Sequence, residues 1–208
     1  MNVRPMIYPG IQHGYVQKKF ACICLSNQNR SMEGHAQMIR NGIPNVSSFG
    51  TGKNVKLPGP TPTTPNTYPF GTPYTTIYQD LKSKDADFYT QMGLLDLLAR
   101  NANIKVAPER FQDARDVSFD VILTYEERVF ETVIVELLNR PPISYKQCHI
   151  INIETRDAGD EAVKAGGLSA QLAKRINSEI DLDDAIYSIL DAFQLETERS
   201  IMHSIAFV

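Results

Sequence analysis

Short, continuously apolar runs alternate along the chain with longer segments whose apolar residues recur every three to four positions. The short runs predict buried β-strands, and the longer segments predict amphipathic helices. The predicted strands are residues 18–23, 46–50, 119–124, 149–153 and 204–208. The predicted helices are 32–40, 75–100 in two pieces, 126–139, and two more that carry residues 168–176 and 182–193. The alternation indicates an α/β protein, a three-layer sandwich in which helices flank a central, mostly parallel sheet of four to five strands.

A proline-rich segment interrupts this alternation. Six of the twelve prolines fall between Pro58 and Pro73, within a loop predicted for residues 51–73. Because long loops in compact domains are usually functional, we interpret it as a loop that covers the substrate rather than as a linker. With the helical pieces after it, the loop forms an insertion at about 51–110 in a single domain of residues 18–208. Residues 1–17 lack periodicity and are predicted to be a poorly ordered N-terminal extension.

The composition restricts the classes of function. The chain has 208 residues, 21 Lys and Arg against 24 Asp and Glu, and a net charge of −3, so it lacks the basic balance of a nucleic-acid-binding domain. No apolar run approaches the roughly 18 residues that span a bilayer, so no membrane association is expected. Three cysteines, an odd number, argue against a disulfide framework and favour a reducing compartment.

The candidate chemistry lies in the stretch Cys24-Leu25-Ser26-Asn27-Gln28-Asn29-Arg30-Ser31, between the first strand and the first helix. A cysteine, five residues, an arginine and a serine is the spacing of the phosphate-binding loop of cysteine-dependent phosphatases. Such a short loop can curl until its successive backbone N–H groups point inward and bind a phosphate dianion. The same positive field favours the thiolate of Cys24, which would be the nucleophile.

Arg30 and Ser31 complete this loop. The planar guanidinium of Arg30 can bind two equatorial phosphate oxygens, and Ser31 can donate a hydrogen bond to the thiolate and help it leave in a second step. The alternative is a buried cysteine at a strand end beside a solvated arginine. Cys22 is interpreted as a small core residue. A protective disulfide between Cys22 and Cys24 is the alternative, which strand geometry makes awkward.

The reaction also needs a proton donor for the departing oxygen, supplied by a loop at the same edge of the sheet. The segment Glu154-Thr155-Arg156-Asp157 follows the fourth strand and meets this requirement. Asp157 is the first choice for the general acid and Glu154 the second. The alternative is that both are solvated turn residues and that Asp157 caps the next helix.

Neither a metal site nor a cofactor site is predicted. His13 lies in the N-terminal extension, His35 on the first helix, His149 at the start of a strand and His203 near the C-terminus, and none has metal-ligand spacing. We therefore expect an enzyme that works without a metal ion or cofactor.

Five motifs in order, extending over roughly Phe20 to Val208, carry a resemblance to a known family. They are CLSNQNRSME at 24–33, FGTG at 49–52, VKLPGP at 55–60, PERFQ at 108–112 and TYEERV at 124–129. With these motifs the chain resembles the RNA polymerase II carboxy-terminal-domain phosphatases, the symplekin-binding enzymes of mRNA 3′-end processing.

This resemblance implies a low-molecular-weight tyrosine-phosphatase-like fold with inserted helices. It implies removal of phosphate from the fifth- and seventh-position serines of the polymerase heptad repeats through a cysteinyl-phosphate. The matching roles are nucleophile for Cys24, phosphate clamp for Arg30 and general acid for Asp157. The five loop residues predicted to bind phosphate through their backbone N–H groups are Leu25, Ser26, Asn27, Gln28 and Asn29. The implied peptide groove is lined by Lys56, Leu57, Pro58 and Leu97.

The resemblance further implies a substrate with a cis serine–proline bond, a symplekin-like scaffold as partner, a functional link to a prolyl isomerase and a nuclear location. Two positions depart from the family. Tyr125 stands where cysteine is frequent, and Glu154 stands where aspartate is frequent.

Two other functions stay open from the sequence. The chain could serve mainly as a scaffold subunit of the cleavage and polyadenylation machinery, although its intact catalytic loop argues against a purely structural role. It could also be an arsenate-reductase-like thiol enzyme. That chemistry needs a resolving cysteine, for which only Cys22 and Cys148 are available.

Overall fold

A computed structural model describes residues 17–61 and 63–208 of the chain. The elements in chain order are β1 (Phe20–Cys24), α1 (Arg30–Arg40), β2 (Val46–Gly50), β3 (Val55–Leu57), β4 (Asn66–Tyr68), α2 (Tyr74–Gln91), α3 (Leu94–Ala102), a 3₁₀ turn (Phe111–Asp113), β5 (Val121–Thr124), α4 (Glu127–Leu138), β6 (Gln147–Ile153), α5 (Gly159–Ser178), α6 (Leu182–Thr197) and β7 (Ile201–Phe207). The predicted N-terminal extension, residues 1–17, lies outside the described residues except for Gln17.

The main sheet has five strands in the order β2-β1-β5-β6-β7. The first four strands are parallel, and β7 pairs antiparallel with β6 at one edge. Helices α1, α5 and α6 contribute to the core on one face of the sheet, and α4 contributes to the core on the other. The predicted α/β class, with a mostly parallel sheet between two helical layers, is confirmed.

Side chains of the central strands alternate between these two cores. On β1, Phe20, Cys22 and Cys24 face the core that contains α5, while Ala21 and Ile23 face the core that contains α4. The alternation follows because successive side chains of a strand point to opposite faces. All five residues of β1 are buried, which explains why the strand reads as a continuous apolar run.

The proline-rich segment contains regular structure that the sequence did not predict. Strands β3 and β4 pair antiparallel, with Val55 opposite Tyr68 and Leu57 opposite Asn66. The interpretation of residues 51–73 as one continuous loop was therefore wrong. Each strand has only three residues, so neither is long enough to establish a period of two in the sequence.

The inserted helices α2 and α3 have a core of their own. Tyr74, Ile77 and Leu98 pack there together with Met32 of α1 and Leu57 of β3. Because Met32 lies in the first turn of α1, this third core joins the insertion to the start of the helix that follows the candidate phosphate loop.

Within residues 17–61 and 63–208, no helix combines the length and apolar character that a membrane crossing requires.

Candidate active site

The candidate phosphate loop lies at the carboxyl edge of the parallel strands. Cys24 ends β1 and Arg30 begins α1, so residues 25–29 form the connection between them. Strand β1 lies between β2 and β5. The chain runs from β1 through α1 to β2 on one side, whereas β5, on the other side, comes later in the chain. Open α/β sheets bind ligands at such a switch point, in the crevice outside the strand ends.

Backbone N–H groups that follow β2 donate hydrogen bonds to the carbonyl groups at the start of the loop. The Thr51 N–H donates to the Cys24 carbonyl over 3.0 Å, and the Gly52 N–H donates to the Leu25 carbonyl over 2.9 Å. The C=O and N–H of a trans peptide point in opposite directions. The N–H groups of Leu25 and Ser26 are therefore turned away from this support.

Gly50 and Gly52 permit this close approach of the β2 end to the loop. A Cβ atom at Gly50 would lie 2.8 Å from the Leu25 carbonyl oxygen, and one at Gly52 would lie 2.9 Å from the same atom. Both glycines belong to a motif seen in the sequence, but their role in supporting the loop became visible only in the structure.

A chain of hydrogen bonds directs the Ser31 hydroxyl at the Cys24 sulfur. The Glu109 N–H donates to Asn27 Oδ1 over 3.0 Å, which fixes the orientation of the Asn27 side-chain amide. Asn27 Nδ2 then donates to Ser31 Oγ over 3.1 Å, and Ser31 Oγ lies 3.0 Å from Cys24 Sγ. Since Ser31 Oγ accepts from the amide, its own proton is free to point at the sulfur.

Arg30 is almost completely buried, with 5% of its side chain exposed. Its Nη2 donates to Glu126 Oε2 over 2.8 Å, and its Nη1 donates to the Thr155 carbonyl over 2.9 Å. Burial opposes the charged form, but the Cys24 thiolate, Asp157 and Glu126 outweigh it and raise the pKa of Arg30 above its ordinary value. The guanidinium therefore stays charged and is held rigidly beside the loop.

Asp157 and Glu154 have different surroundings. Asp157 Oδ1 accepts a hydrogen bond from Asn29 Nδ2 over 3.0 Å and lies 3.5 Å from Arg30 Nε. Glu154 Oε2 instead accepts from the Glu127 N–H at the start of α4, over 3.0 Å. Helix α5 has Ala158 as its N-cap, so Asp157 is not the capping residue of that helix. Asp157 is thus the carboxylate that faces the loop.

A cavity of about 250 Å³ opens above the loop. Besides Cys24, Arg30 and Asp157, it is bounded by four of the five predicted phosphate-binding residues, by the predicted groove residues and by a further leucine of α3. These additional lining residues are Leu25, Ser26, Gln28, Asn29, Lys56, Leu57, Pro58, Leu94 and Leu97. One cavity therefore has a thiol, a cation and a carboxylate on its polar side and apolar side chains from β3 and α3 on the other.

The other cysteines do not reach this cavity. Cys22 and Cys148 are both fully buried in the two sheet cores. Burial raises the pKa of the Cys22 thiol to about 12, and it also raises the pKa of Cys148. A resolving cysteine must be accessible and able to ionise, so neither thiol fits that role.

Two histidines that are far apart in sequence meet in the structure. His149 Nδ1 lies 3.1 Å from His203 Nε2, and His149 Nε2 lies 2.9 Å from Asp183 Oδ1. The sequence interpretation treated these histidines as unrelated. Among the described residues, no group of three His, Cys, Asp or Glu side chains is placed to hold a metal ion.

Several supporting residues of the site were not found from the sequence. Tyr74 and Asn101 donate to carbonyl groups of the loop, and Glu126 pairs with Arg30. Asn101 did carry a signal, because it follows Leu94 and Leu98 on the apolar face of α3, where a polar residue is unexpected. Glu126 lies within the motif at 124–129, which did not reveal its contact with Arg30. Tyr74 carried no signal, since a tyrosine at a helix start is ordinary.

Comparison with known proteins places these features in one family. A family described as "Ssu72-like protein" matches residues 18–208. A relative from Homo sapiens, named SSU72 and described as a phosphatase of the RNA polymerase II C-terminal domain, is 42% identical over 189 residues, covering 91% of this chain and 96% of the relative.

Solved structures agree. A crystal structure from Drosophila melanogaster, described as the serine phosphatase of RNA polymerase II CTD (SSU72 superfamily), is 40% identical, covers 92% of this chain and all of its own, and superimposes with a TM-score of 0.89. A D. melanogaster complex of Ssu72 and Symplekin is 38% identical, with 92% and 99% covered and a TM-score of 0.88, and it holds a cis peptidomimetic CTD peptide phosphorylated at the fifth-position serine. The chain therefore belongs to the Ssu72 family.

Proposed function

We propose that this chain is a cysteine-dependent protein phosphatase that acts on phosphoserines of the RNA polymerase II C-terminal domain. The observation that carries the proposal is the cavity in which Cys24, Arg30 and Asp157 converge above the phosphate loop. Relatives that are 42% identical to this chain over 189 residues are named as phosphatases of that domain. Within the heptad repeat, the fifth- and seventh-position serines are the proposed sites.

In the first step, the Cys24 thiolate attacks phosphorus and an S–P bond forms as the P–O bond to the serine breaks. The loop N–H groups and Arg30 stabilise the negative charge on the equatorial oxygens. Asp157 supplies the proton that the departing serine oxygen takes up. Its position beside Asn29 and Arg30, in the lining of the same cavity, suits this role.

In the second step, water attacks the phosphorus of the cysteinyl-phosphate. The Asp157 carboxylate, left ionised by the first step, accepts a proton from that water. The S–P bond breaks, and the sulfur leaves as a thiolate. The Ser31 hydroxyl, 3.0 Å from the sulfur, stabilises that thiolate by donating a hydrogen bond. Inorganic phosphate is released and the enzyme returns to its starting state.

The groove proposed for the peptide is formed by Lys56, Leu57 and Pro58 from the β3 region and by Leu97 from α3. Its apolar wall suits the proline that follows a phosphoserine, because proline buries its ring but has no N–H to satisfy. The related structure with a cis peptidomimetic supports a cis serine–proline bond in the bound substrate.

The proposal extends to partners and location. A symplekin-like scaffold is the proposed protein partner, and a prolyl isomerase is proposed to supply the cis substrate. An enzyme that acts on RNA polymerase II has a nuclear role, and we propose that the protein itself is nuclear. Residues 18–208, the range that the family matches, are proposed to form a single catalytic domain.

The test uses the purified full chain. We expect hydrolysis of p-nitrophenyl phosphate that vanadate inhibits and EDTA does not, and release of phosphate from heptad peptides phosphorylated at the fifth or seventh serine. Cys24→Ser should abolish turnover while preserving phosphopeptide binding. Metal-dependent hydrolysis, or full activity of Cys24→Ser, would contradict the proposal. Peptides phosphorylated at other positions serve as the substrate control.

A further inference from the structure

Two buried side chains of the inserted helices donate hydrogen bonds to consecutive carbonyl groups of the phosphate loop. The hydroxyl of Tyr74, the first residue of α2, donates to the Asn27 carbonyl over 2.6 Å. The side-chain Nδ2 of Asn101, in α3, donates to the Gln28 carbonyl over 2.8 Å. Tyr74 and Asn101 both have an exposed fraction of 0%, so water does not compete for either bond.

These bonds determine where the opposite ends of the two peptide groups point. In a trans peptide the N–H lies opposite the C=O, so fixing the Asn27 and Gln28 carbonyls also fixes the N–H groups of Gln28 and Asn29. Both carbonyls face the insertion, and the two N–H groups consequently face away from it, to the side where the loop curls. The N–H groups of this half of the loop are thus oriented by residues outside it.

The backbone of Asn27 also favours external support. Asn27 has a φ of 52°, in the left-handed region, which asparagine tolerates better than most residues other than glycine but which is still sparsely populated. Contacts from outside the loop therefore help to hold the Asn27 carbonyl in this direction. The segment around Thr51 and Gly52 supports the first half of the loop in the same way, so the insertion supplies the equivalent contacts for the second half.

We propose that Tyr74 and Asn101 are positioning residues that aim the N–H groups of Gln28 and Asn29 at the transferred phosphoryl group. This inference rests on the proposed phosphatase function. It gives the inserted helices a part in stabilising the transition state, in addition to their contribution to the walls of the peptide groove. Preorganised donors of this kind act where charge develops and need no reorientation during the reaction.

The chemistry of both side chains suits this role. Asn101 Oδ1 accepts from Arg100 Nε over 3.1 Å and from Arg100 Nη2 over 2.9 Å, so the amide is fixed with Nδ2 toward the loop. Burial, reinforced by the negative charges of the Cys24 thiolate and Glu109, raises the pKa of Tyr74 well above its ordinary value. Its hydroxyl therefore remains protonated, as a donor must.

The test removes each donor while keeping the shape of the side chain. Tyr74→Phe deletes only the hydroxyl, and Asn101→Asp replaces the amide donor with an acceptor of nearly equal volume. The substrate is p-nitrophenyl phosphate, which reaches the loop but lacks a peptide to fill the groove. Losing one direct oxyanion donor costs roughly 10²- to 10³-fold in rate, and here the donor is only misoriented. We expect each change to lower kcat/KM by about 10-fold and to raise the vanadate inhibition constant by a similar factor.

Tyr89→Phe is the matched control. Tyr89 lies in α2 like Tyr74, but beyond the break in helical backbone at Asp85, and it is 2% exposed. Its hydroxyl accepts a hydrogen bond from Asn66 Nδ2 over 2.9 Å instead of contacting the loop. We expect this variant to lose melting temperature as Tyr74→Phe does, but to keep the wild-type vanadate inhibition constant.

The vanadate constant separates positioning from simple stabilisation. Variants Tyr74→Phe and Asn101→Asp that melt earlier yet bind vanadate as the wild type does would overturn the inference. A wild-type protein without p-nitrophenyl phosphatase activity would instead refute the proposed function on which the inference rests. The two failures are therefore distinguishable in one set of measurements.

Discussion

The hydroxyl oxygen of Ser31 lies 3.0 Å from the sulfur of Cys24. Ser31 is in the first turn of α1, the helix that begins directly after the phosphate loop. Asn27 donates a hydrogen bond to the same oxygen, so the hydroxyl proton is directed at the sulfur rather than shared among acceptors. A donor in this position stabilises the thiolate before attack and again when sulfur leaves phosphorus. In the proposed mechanism, the second role makes Ser31 most important for breakdown of the cysteinyl-phosphate.

Ser31→Ala should therefore slow the second step more than the first. We expect kcat to fall by roughly 10- to 100-fold, because a charge-assisted hydrogen bond to the leaving group is lost. The phosphoenzyme should accumulate, which rapid quenching with a ³²P-labelled substrate would detect. Ser169→Ala is the control, because Ser169 is equally buried but bonds Tyr125 and lies outside the loop. An unchanged kcat without phosphoenzyme would exclude this role for Ser31.

Asp157→Asn should depend strongly on the leaving group. A serine alkoxide needs a proton as it departs, whereas p-nitrophenolate does not. We expect the rate on a phosphoserine peptide to fall by about 10²-fold or more, and the rate of cysteinyl-phosphate formation from p-nitrophenyl phosphate to fall far less. Comparing single-turnover rates on the two substrates measures the difference directly.

Glu154→Gln supplies the matched comparison for the acid. Its carboxylate accepts the N–H of Glu127 at the start of α4, and the amide oxygen of glutamine can still accept that bond. The change removes only the negative charge near the helix N-terminus, at a cost of about 0.3–1 kcal/mol in the free energy of unfolding. The ratio of the two single-turnover rates should stay at the wild-type value. If Glu154→Gln reduces the phosphoserine rate more than Asp157→Asn does, the general acid is misassigned.

The sequence predicted those parts of the site that depend on local structure. The spacing from Cys24 to Arg30 describes one strand end, one loop and one helix start, so its geometry follows from neighbours in the chain. The position of Asp157 beside the loop could be predicted because parallel strands bring their carboxyl ends to one edge, and the loop after β6 therefore lies near the loop after β1. The strand and helix positions likewise followed from apolar periodicity.

The contacts that were not predicted join distant parts of the chain. Tyr74 lies 47 residues from the carbonyl it binds, and Asn101 lies 73 residues from its own acceptor. The β3–β4 pair and the contact of His149 with His203 also depend on tertiary placement. No local pattern specifies such partners, because a propensity describes the element that a residue occupies and not what packs against that element.

His35 makes stability dependent on pH. Burial, together with the charge of Lys105, lowers the pKa of His35 from 6.5 to about 4. Between these values the unfolded chain binds a proton that the folded protein does not, so stability falls as the pH is lowered through this window and is fully present above it. His35 is 7% exposed, and the full shift corresponds to about 3 kcal/mol.

His35→Gln removes this titration. The free energy of unfolding can be measured by urea denaturation at about pH 7.5 and about pH 4.5. Between these two pH values, it should fall by roughly 2–3 kcal/mol less in the variant than in the wild type. His203, whose pKa is also lowered to about 4, by burial and by His149, is present in both proteins and its effect cancels. Identical losses in the two proteins would show that His35 does not contribute to the acid sensitivity.

A substrate taken only in the cis form should be consumed in two phases when enzyme is in excess. The cavity lined by Leu57 and Pro58 has a volume of about 250 Å³. The related complex of Ssu72 and Symplekin contains a cis peptidomimetic. About 10–30% of serine–proline bonds in a free peptide are cis, and exchange takes tens to hundreds of seconds. A rapid burst should therefore release phosphate from the cis fraction, followed by a slow phase at the isomerisation rate.

Adding a prolyl isomerase should abolish the slow phase, whereas an inactive isomerase variant should leave it unchanged. Complete release in one fast phase without isomerase would mean that the groove also accepts the trans bond, and the proposed link to an isomerase would then be unnecessary.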